Sequence, residues 1–287
     1  MLATAIIVFR EVLEAAMIIG IVMVASRGAP GRGLWVGGGV AGGIFGALCV
    51  ATAAETLAAM AQGMGQEIFN AGILFTAVLM LGWHNIWMAR HGRELADNAT
   101  RLGSDVLSGA QPLWALAFAV GLAALREGSE TVLFLYGIAL AGDGGGLSLV
   151  TGAAIGLVLG VAAGFGIYWG LVSIPTRQLF TVTNWLVLLL AAGLASQGAA
   201  FLMQANLLPS LGSNVWDTSF LLSDQGIVGK ILHTLIGYTA QPAGIQIIFY
   251  LATLAVIATL MRVFGPGVTT ARGERAVGSD SLDPLVF

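Results

Sequence analysis

The chain has 287 residues, 57% hydrophobic and only 9% charged, with a formal net charge of −3 and a mean hydropathy of +0.89. A soluble globular chain averages about 25% charged residues, so the composition excludes one and predicts an integral membrane protein. No basic excess points to nucleic acid, and the single cysteine, Cys49, allows no internal disulfide.

Taken in order, the chain opens without a basic n-region and places Arg10 and Glu11 where a signal peptide is purely apolar. The first helix is therefore expected to stay in the mature protein. Apolar runs of about twenty residues call for helices, since barrel strands alternate in polarity over about ten. Seven spans are predicted, near 2–26, 34–60, 68–90, 112–141, 147–172, 179–204 and 244–264. The first contains Arg10-Glu11-Val12-Leu13-Glu14 and the fourth Arg126-Glu127-Gly128-Ser129-Glu130. Between the sixth and seventh, the semi-apolar stretch from Ile227 to Tyr238 suits a re-entrant or interfacial helix.

The expected fold is all-α, with seven transmembrane helices built as an inverted 3+3 repeat plus a seventh helix. Residues 1–111 form the first three-helix unit with its cytoplasmic connection, and residues 112–204 form the second, inverted unit. An extracytoplasmic loop at 205–243, the last helix at 244–264 and a polar cytoplasmic tail at 265–287 complete the chain. Basic residues set the orientation. Apart from the two motif arginines, Arg27, Arg32, Arg90, Arg93, Arg101, Arg177, Arg262, Arg272 and Arg275 fall on one side and only Lys230 on the other. The positive-inside rule puts the N-terminus outside and the C-terminus in the cytoplasm. The outer side then carries Glu55, Glu67, Asp143, Asp217 and Asp224, an acidic surface that gathers cations.

The repeat is visible in register. An offset of 116 superimposes the charged blocks. One near 114 places Gly38, Gly42 and Gly46 on Gly152, Gly156 and Gly160, and one of 111 places Phe69 and Gly82 on Phe180 and Gly193. Three intervening spans turn the second copy upside down, and inverted repeats place substrate near the midplane at their interface.

Within each block, residues three apart share a helix face, so Glu11 pairs with Glu14 and Glu127 with Glu130. Each arginine reaches the glutamate four residues on. Four carboxylates against two guanidiniums leave a net negative site of hard oxygen ligands, suited to hard cations. No cysteine or histidine lies within the motifs, which argues against a copper or zinc site. A single such block reads equally as an Arg–Glu pair that pins helix packing. Its duplication, with twice as many acids as bases, points to a cation site.

Two R-E-x-x-E motifs on the first and fourth of seven spans resemble the high-affinity iron permease family, which includes oxidase-coupled ferric permeases and bacterial ferrous-iron-uptake permeases. Ala191-Ala192-Gly193-Leu194-Ala195 and Leu232-His233-Thr234-Leu235-Ile236-Gly237-Tyr238 extend the resemblance over nearly the whole chain. The middle positions depart from the commoner R-E-G-L-E wording while every charged position stands. The resemblance implies a multi-pass permease of the cytoplasmic membrane that is not an enzyme. It implies that Glu11, Glu14, Glu127 and Glu130 handle the ion, with Arg10 and Arg126 in support. Iron is then transported substrate rather than prosthetic group. An extracytoplasmic iron oxidase is the implied partner, delivering Fe3+ made from Fe2+.

Glu55 and Glu67 are candidates for an ion entrance, beside the reading as solvated helix-end carboxylates. Asp217 and Asp224 read as loop solvation or as ion guides. His84 reads equally as an exit step or as a hydrogen-bonded packing histidine, and His233 as structural more than as a relay. Tyr136 and Ser129 offer neutral oxygens near the second block. Trp35, Trp83, Trp87, Trp114 and Trp169 read as an interfacial belt contacting lipid. Three alternatives stand beside iron uptake, one of them a purely structural subunit whose Arg–Glu pairs serve as assembly contacts. A permease for Mn2+ or Pb2+ would use the same carboxylates. A membrane di-iron enzyme would need E-x-x-H motifs, and both blocks end in glutamate.

Overall fold

The computed structural model describes residues 1–60, 65–141, 145–170, 176–212, 214–222 and 226–264, and among them the chain forms α-helices and no strand. The helices are α1 (Leu2–Ala25), α2 (Arg32–Met60), α3 (Gln66–Leu107), α4 (Trp114–Leu140), α5 (Gly146–Tyr168), α6 (Thr176–Gln204), α7 (Ile227–Ile236) and α8 (Gly244–Phe264). Among the described residues, five segments are long and apolar enough to cross a membrane: Arg32–Thr56, Gln66–Met88, Gly146–Tyr168, Thr181–Gln204 and Gly244–Val263. Helices α1 and α4 are of similar length, 24 and 27 residues, but each has three charged side chains near its middle. The expected tail 265–287 lies outside the described residues.

Charged and polar side chains are buried within the bundle, and its outer surface is largely apolar. Leu34, Phe45, Leu79, Trp83, Leu147 and Phe165 are exposed, while Arg10, Glu11, Glu14, His84, Asn85 and Glu127 are buried. Apolar surface on this scale is what a lipid solvent accepts and water does not.

Two apolar clusters bracket the buried charges. In one, Ala3 and Ile7 of α1 meet Leu74 and Leu81 of α3, Phe134 and Ile138 of α4, and Leu188 and Ala191 of α6. In the other, Val22 of α1 meets Val36 of α2, Ala99 and Val106 of α3, and Leu116 and Val120 of α4. The start of α1 thus lies by the end of α4 and the end of α1 by the start of α4, so the two run antiparallel. The charged blocks fall where they cross.

Helix α3 runs past the predicted end of its span at residue 90, to Leu107. Hydropathy falls there because the segment is amphipathic, not because the helix ends. Its apolar stripe of Ala99, Leu102 and Val106 packs on the second cluster. Between the sixth and seventh predicted spans, α7 occupies Ile227–Ile236 and packs on α6 and α1. It ends at Gly237, whose φ of +68° suits glycine and whose Cα lies against Gly193 of α6.

The most extensive contacts are α2 on α4, α1 on α5, and α3 on α6. The first two correspond residue for residue. A Cβ at Gly152 would strike the Met1 carbonyl and one at Gly39 the Ala117 carbonyl. Gly156 sits on Ala5, Val8 and Phe9, and Gly43 on Gly121, Ala124 and Leu125. Gly160 meets Val12, and Ala47 meets Gly128. The α4 residues are those of α1 shifted by 116, while the α5 residues are those of α2 shifted by 113. This register is one residue from the 114 suggested by glycine spacing. A Cβ at Gly38 or Gly42 meets nothing within 4 Å, because α2 has more glycines than its contact face uses. The same shifts relate two lateral grooves. One, of about 600 Å³, includes Ala54, Leu133 and Tyr136 in its lining. The other, of about 450 Å³, includes Ile167, Met17 and Gly20.

A Cβ at position 156 would lie 2.9 Å from Val8 Cβ and from the Phe9 nitrogen. Gly156→Ala is expected to destabilise the bundle by about 1–3 kcal/mol, read as a lower thermal midpoint in detergent. Gly38→Ala should leave the midpoint unchanged.

Candidate metal centre

Helix α1 turns Glu11 and Glu14 to one face, and both are buried with Arg10. Arg10 Nη1 donates to Glu11 Oε1 at 3.1 Å, and its Nε faces Glu14 Oε1, also at 3.1 Å. On α4, Arg126 Nε donates to Glu130 Oε1 at 3.2 Å and lies 3.9 Å from Glu127 Oε1. Each block therefore ties its guanidinium to both of its own carboxylates.

His84 of α3 joins the blocks. Its Nε2 lies 3.2 Å from Glu14 Oε2 and 3.8 Å from Glu11 Oε2, and its Nδ1 pairs with Glu130 Oε2. The sequence set His84 apart as an exit step or packing residue, and its motifs contained no histidine. The structure places the imidazole between the motifs instead. One ligand atom each from Glu11, His84, Glu127 and Glu130 lies within 4.8 Å of the others. Opposite donors on an ion with bonds of about 2.1 Å stand roughly 4.2 Å apart, so a small inward movement would let these atoms enclose one.

The hydrogen bonding points the same way. Glu11 Oε2 and Glu127 Oε2, equivalent atoms of the two blocks, are buried with no donor among the described residues. An unsatisfied carboxylate oxygen in a dry interior is costly unless something positive completes it. Thr4 Oγ1 and Asn85 Oδ1 are likewise buried without a partner. Asn85 follows His84 and donates through Nδ2 to the Asn184 carbonyl at 3.4 Å. Neither was singled out from the sequence, although a buried amide beside a mid-span histidine is a usable signal.

The two halves differ in access. The Arg10 side chain is 1% exposed and that of Arg126 33%. The Arg126 guanidinium carbon lies 4.0 Å from the ring centre of Trp87. Trp35, Trp83, Trp114 and Trp169 are exposed, as a belt requires, whereas Trp87 is half-buried.

The remaining candidates lie apart from the cluster. Glu55 and Glu67 are exposed near helix ends, and Tyr136 lines the groove between α3 and α4. Asp217 is exposed and ties down its own loop. It accepts from the Ser219 backbone N–H at 2.9 Å, the Ser219 hydroxyl at 2.5 Å and Gln241 Nε2 at 2.9 Å. These bonds, led by the Ser219 hydroxyl, hold its carboxyl below the usual range. Asp224 lies outside the described residues. His233 Nδ1 donates to the Tyr238 carbonyl at 2.6 Å and its Nε2 faces the Gln197 amide at 3.3 Å, fixing the end of α7.

The model of the iron permease FTR1 family matches residues 1–271 of the chain. The ferrous iron permease EfeU of Yersinia pestis is 30% identical over 283 residues, covering 97% of this chain and 98% of that protein. EfeU of Escherichia coli O6:K15:H31 and of Shigella sonnei are each 30% identical over 242 residues, covering 83% of this chain and 86% of theirs. No solved structure matches.

Removing the sealed arginine should harm the fold more than removing the exposed one. Arg10→Gln strands Glu11 and Glu14 and is expected to cost about 3–5 kcal/mol. Arg126→Gln should cost clearly less, with both read by denaturation in detergent.

Proposed function

The chain belongs to the iron permease FTR1 family, and from that membership we propose that it carries iron through a site formed by its two R-E-x-x-E blocks together with His84. It is a multi-pass membrane protein of the cytoplasmic membrane, taking up iron as substrate. The reading has seven spans, α1 to α6 and α8, with the N-terminus outside. Under this orientation the Ile7–Phe134 cluster faces outward and the Val22–Val120 cluster inward.

The observation that carries the proposal is the pair of orphaned oxygens, Glu11 Oε2 and Glu127 Oε2, within a cluster of ligand size. A structural ion-pair network would satisfy its own acceptors. This one leaves Glu11 Oε2 of one block and Glu127 Oε2 of the other without a hydrogen bond among the described residues. Three carboxylates and one imidazole make a mainly hard, partly borderline ligand set, which accepts both oxidation states of iron. The arginines limit how tightly the ion is held, so that it can leave.

We assign the permeating form as Fe3+, produced from Fe2+ by an extracytoplasmic oxidase that meets the outer loops. The relatives above are named ferrous iron permeases, and the imidazole suits Fe2+ better than carboxylates alone, so the valence needs a direct test. Mn2+ and Pb2+ are the competing ions for the same ligands. A di-iron enzyme fits less well, since its histidines follow glutamates on the same helices and His84 comes from a third.

Radioactive iron uptake into proteoliposomes tests this, with Fe3+ and ascorbate-reduced Fe2+ supplied separately. Glu127→Gln keeps the side-chain volume and replaces a carboxyl oxygen of the cluster by an amide; it is expected to lower uptake at least about tenfold. The double variant Glu14→Gln, Glu130→Gln should abolish it. Uptake unchanged in both would show that the blocks only pin the helices. Uptake of Mn2+ or Pb2+ with none of iron would reassign the ion.

A further inference from the structure

Resting on the reading above, we propose that Arg126 is the movable cation of the site and that Trp87 is the face that holds it when an ion displaces it from Glu130. Nothing in the sequence gave Trp87 this part.

An arriving iron ion and a guanidinium compete for the same carboxylates, and as like charges they repel. Something must yield. Arg10 is sealed at 1% exposure, hydrogen-bonded to Glu11 at 3.1 Å and ion-paired with Glu14 at 3.1 Å. Moving it would leave a charge in hydrocarbon. Arg126 is one-third exposed, its bond to Glu130 is 3.2 Å, and Glu127 stands off at 3.9 Å. Its guanidinium already lies on Trp87 at 4.0 Å. An aromatic face holds a cation electrostatically without taking up a carboxylate. Arg126 can therefore release Glu130 and still have a partner.

The indole is itself braced. His91, one turn along α3, stacks on it at 4.8 Å between ring centres and 17° between planes, and His91 Nδ1 donates to the Trp87 carbonyl at 3.1 Å. The indole thus contacts both the Arg126 guanidinium and the His91 imidazole. Exchange of the ion is thereby assigned to the Arg126 side of the site, and Trp87 is a positioning residue for it.

The test alters the face without altering the shape. Tryptophans bearing one, two and three fluorines are placed at position 87 alone, and radioactive iron uptake is measured in proteoliposomes. Each fluorine weakens the attraction of the ring for a cation. Uptake should fall stepwise, by about tenfold across the series. Trp87→Leu should fall at least as far, and Trp87→Phe should lie between it and the unsubstituted protein. Uptake that stays flat across the fluorinated series would overturn the proposal, because packing alone is insensitive to fluorine. Absence of iron uptake by the unsubstituted protein would instead overturn the permease reading, and this inference with it.

Discussion

Charge pairing in a place without water is the constraint from which the rest of this structure follows. Arg10, Glu11, Glu14, His84 and Glu127 are buried in the middle of an apolar bundle, where each ion alone would cost several kcal/mol. They are tolerable because each arginine answers two carboxylates on its own helix and the imidazole answers carboxylates on both. The pairing still leaves Glu11 Oε2 and Glu127 Oε2 without a hydrogen bond among the described residues.

The helix packing serves this layer. For α1 and α4 to meet block to block, each needs a neighbour that lies close without bulk, and each finds a glycine-bearing helix. Helix α5 presents Gly152, Gly156 and Gly160 to α1, and α2 presents Gly39, Gly43 and Ala47 to α4. Small residues let backbones touch where lipid offers no hydrophobic drive to associate. The middle positions of the motifs follow from the same contacts. Val12 lies on Gly160 and Gly128 on Ala47, so one partner of each crossing stays small. Apolar clusters above and below the charges exclude water and lipid headgroups, which keeps the electrostatics strong.

Much of this was legible in the sequence. Composition gave the solvent, the duplicated block gave the two helices that matter, and i,i+3 spacing gave the shared faces of the glutamates. Helix α7 was signalled by an apolar stretch ahead of Gly237. Position within the third dimension was not legible. His84 looks like a stray polar residue because α3 brings it to the charges across some seventy residues of chain. Trp87 looks like a belt residue because four other tryptophans are. The contact register of α2 was hidden by an excess of glycines, and the end of α3 by reading loss of hydropathy as loss of helix. In each case the missing information was which face of a helix meets which neighbour.

The most direct measurement is an anomalous-difference map from crystals soaked in iron, collected at the iron edge. The account predicts one dominant peak among Glu11, His84, Glu127 and Glu130, bridging α1, α3 and α4. A peak at the outer acidic residues with the cluster empty, in protein that still takes up iron, would contradict it.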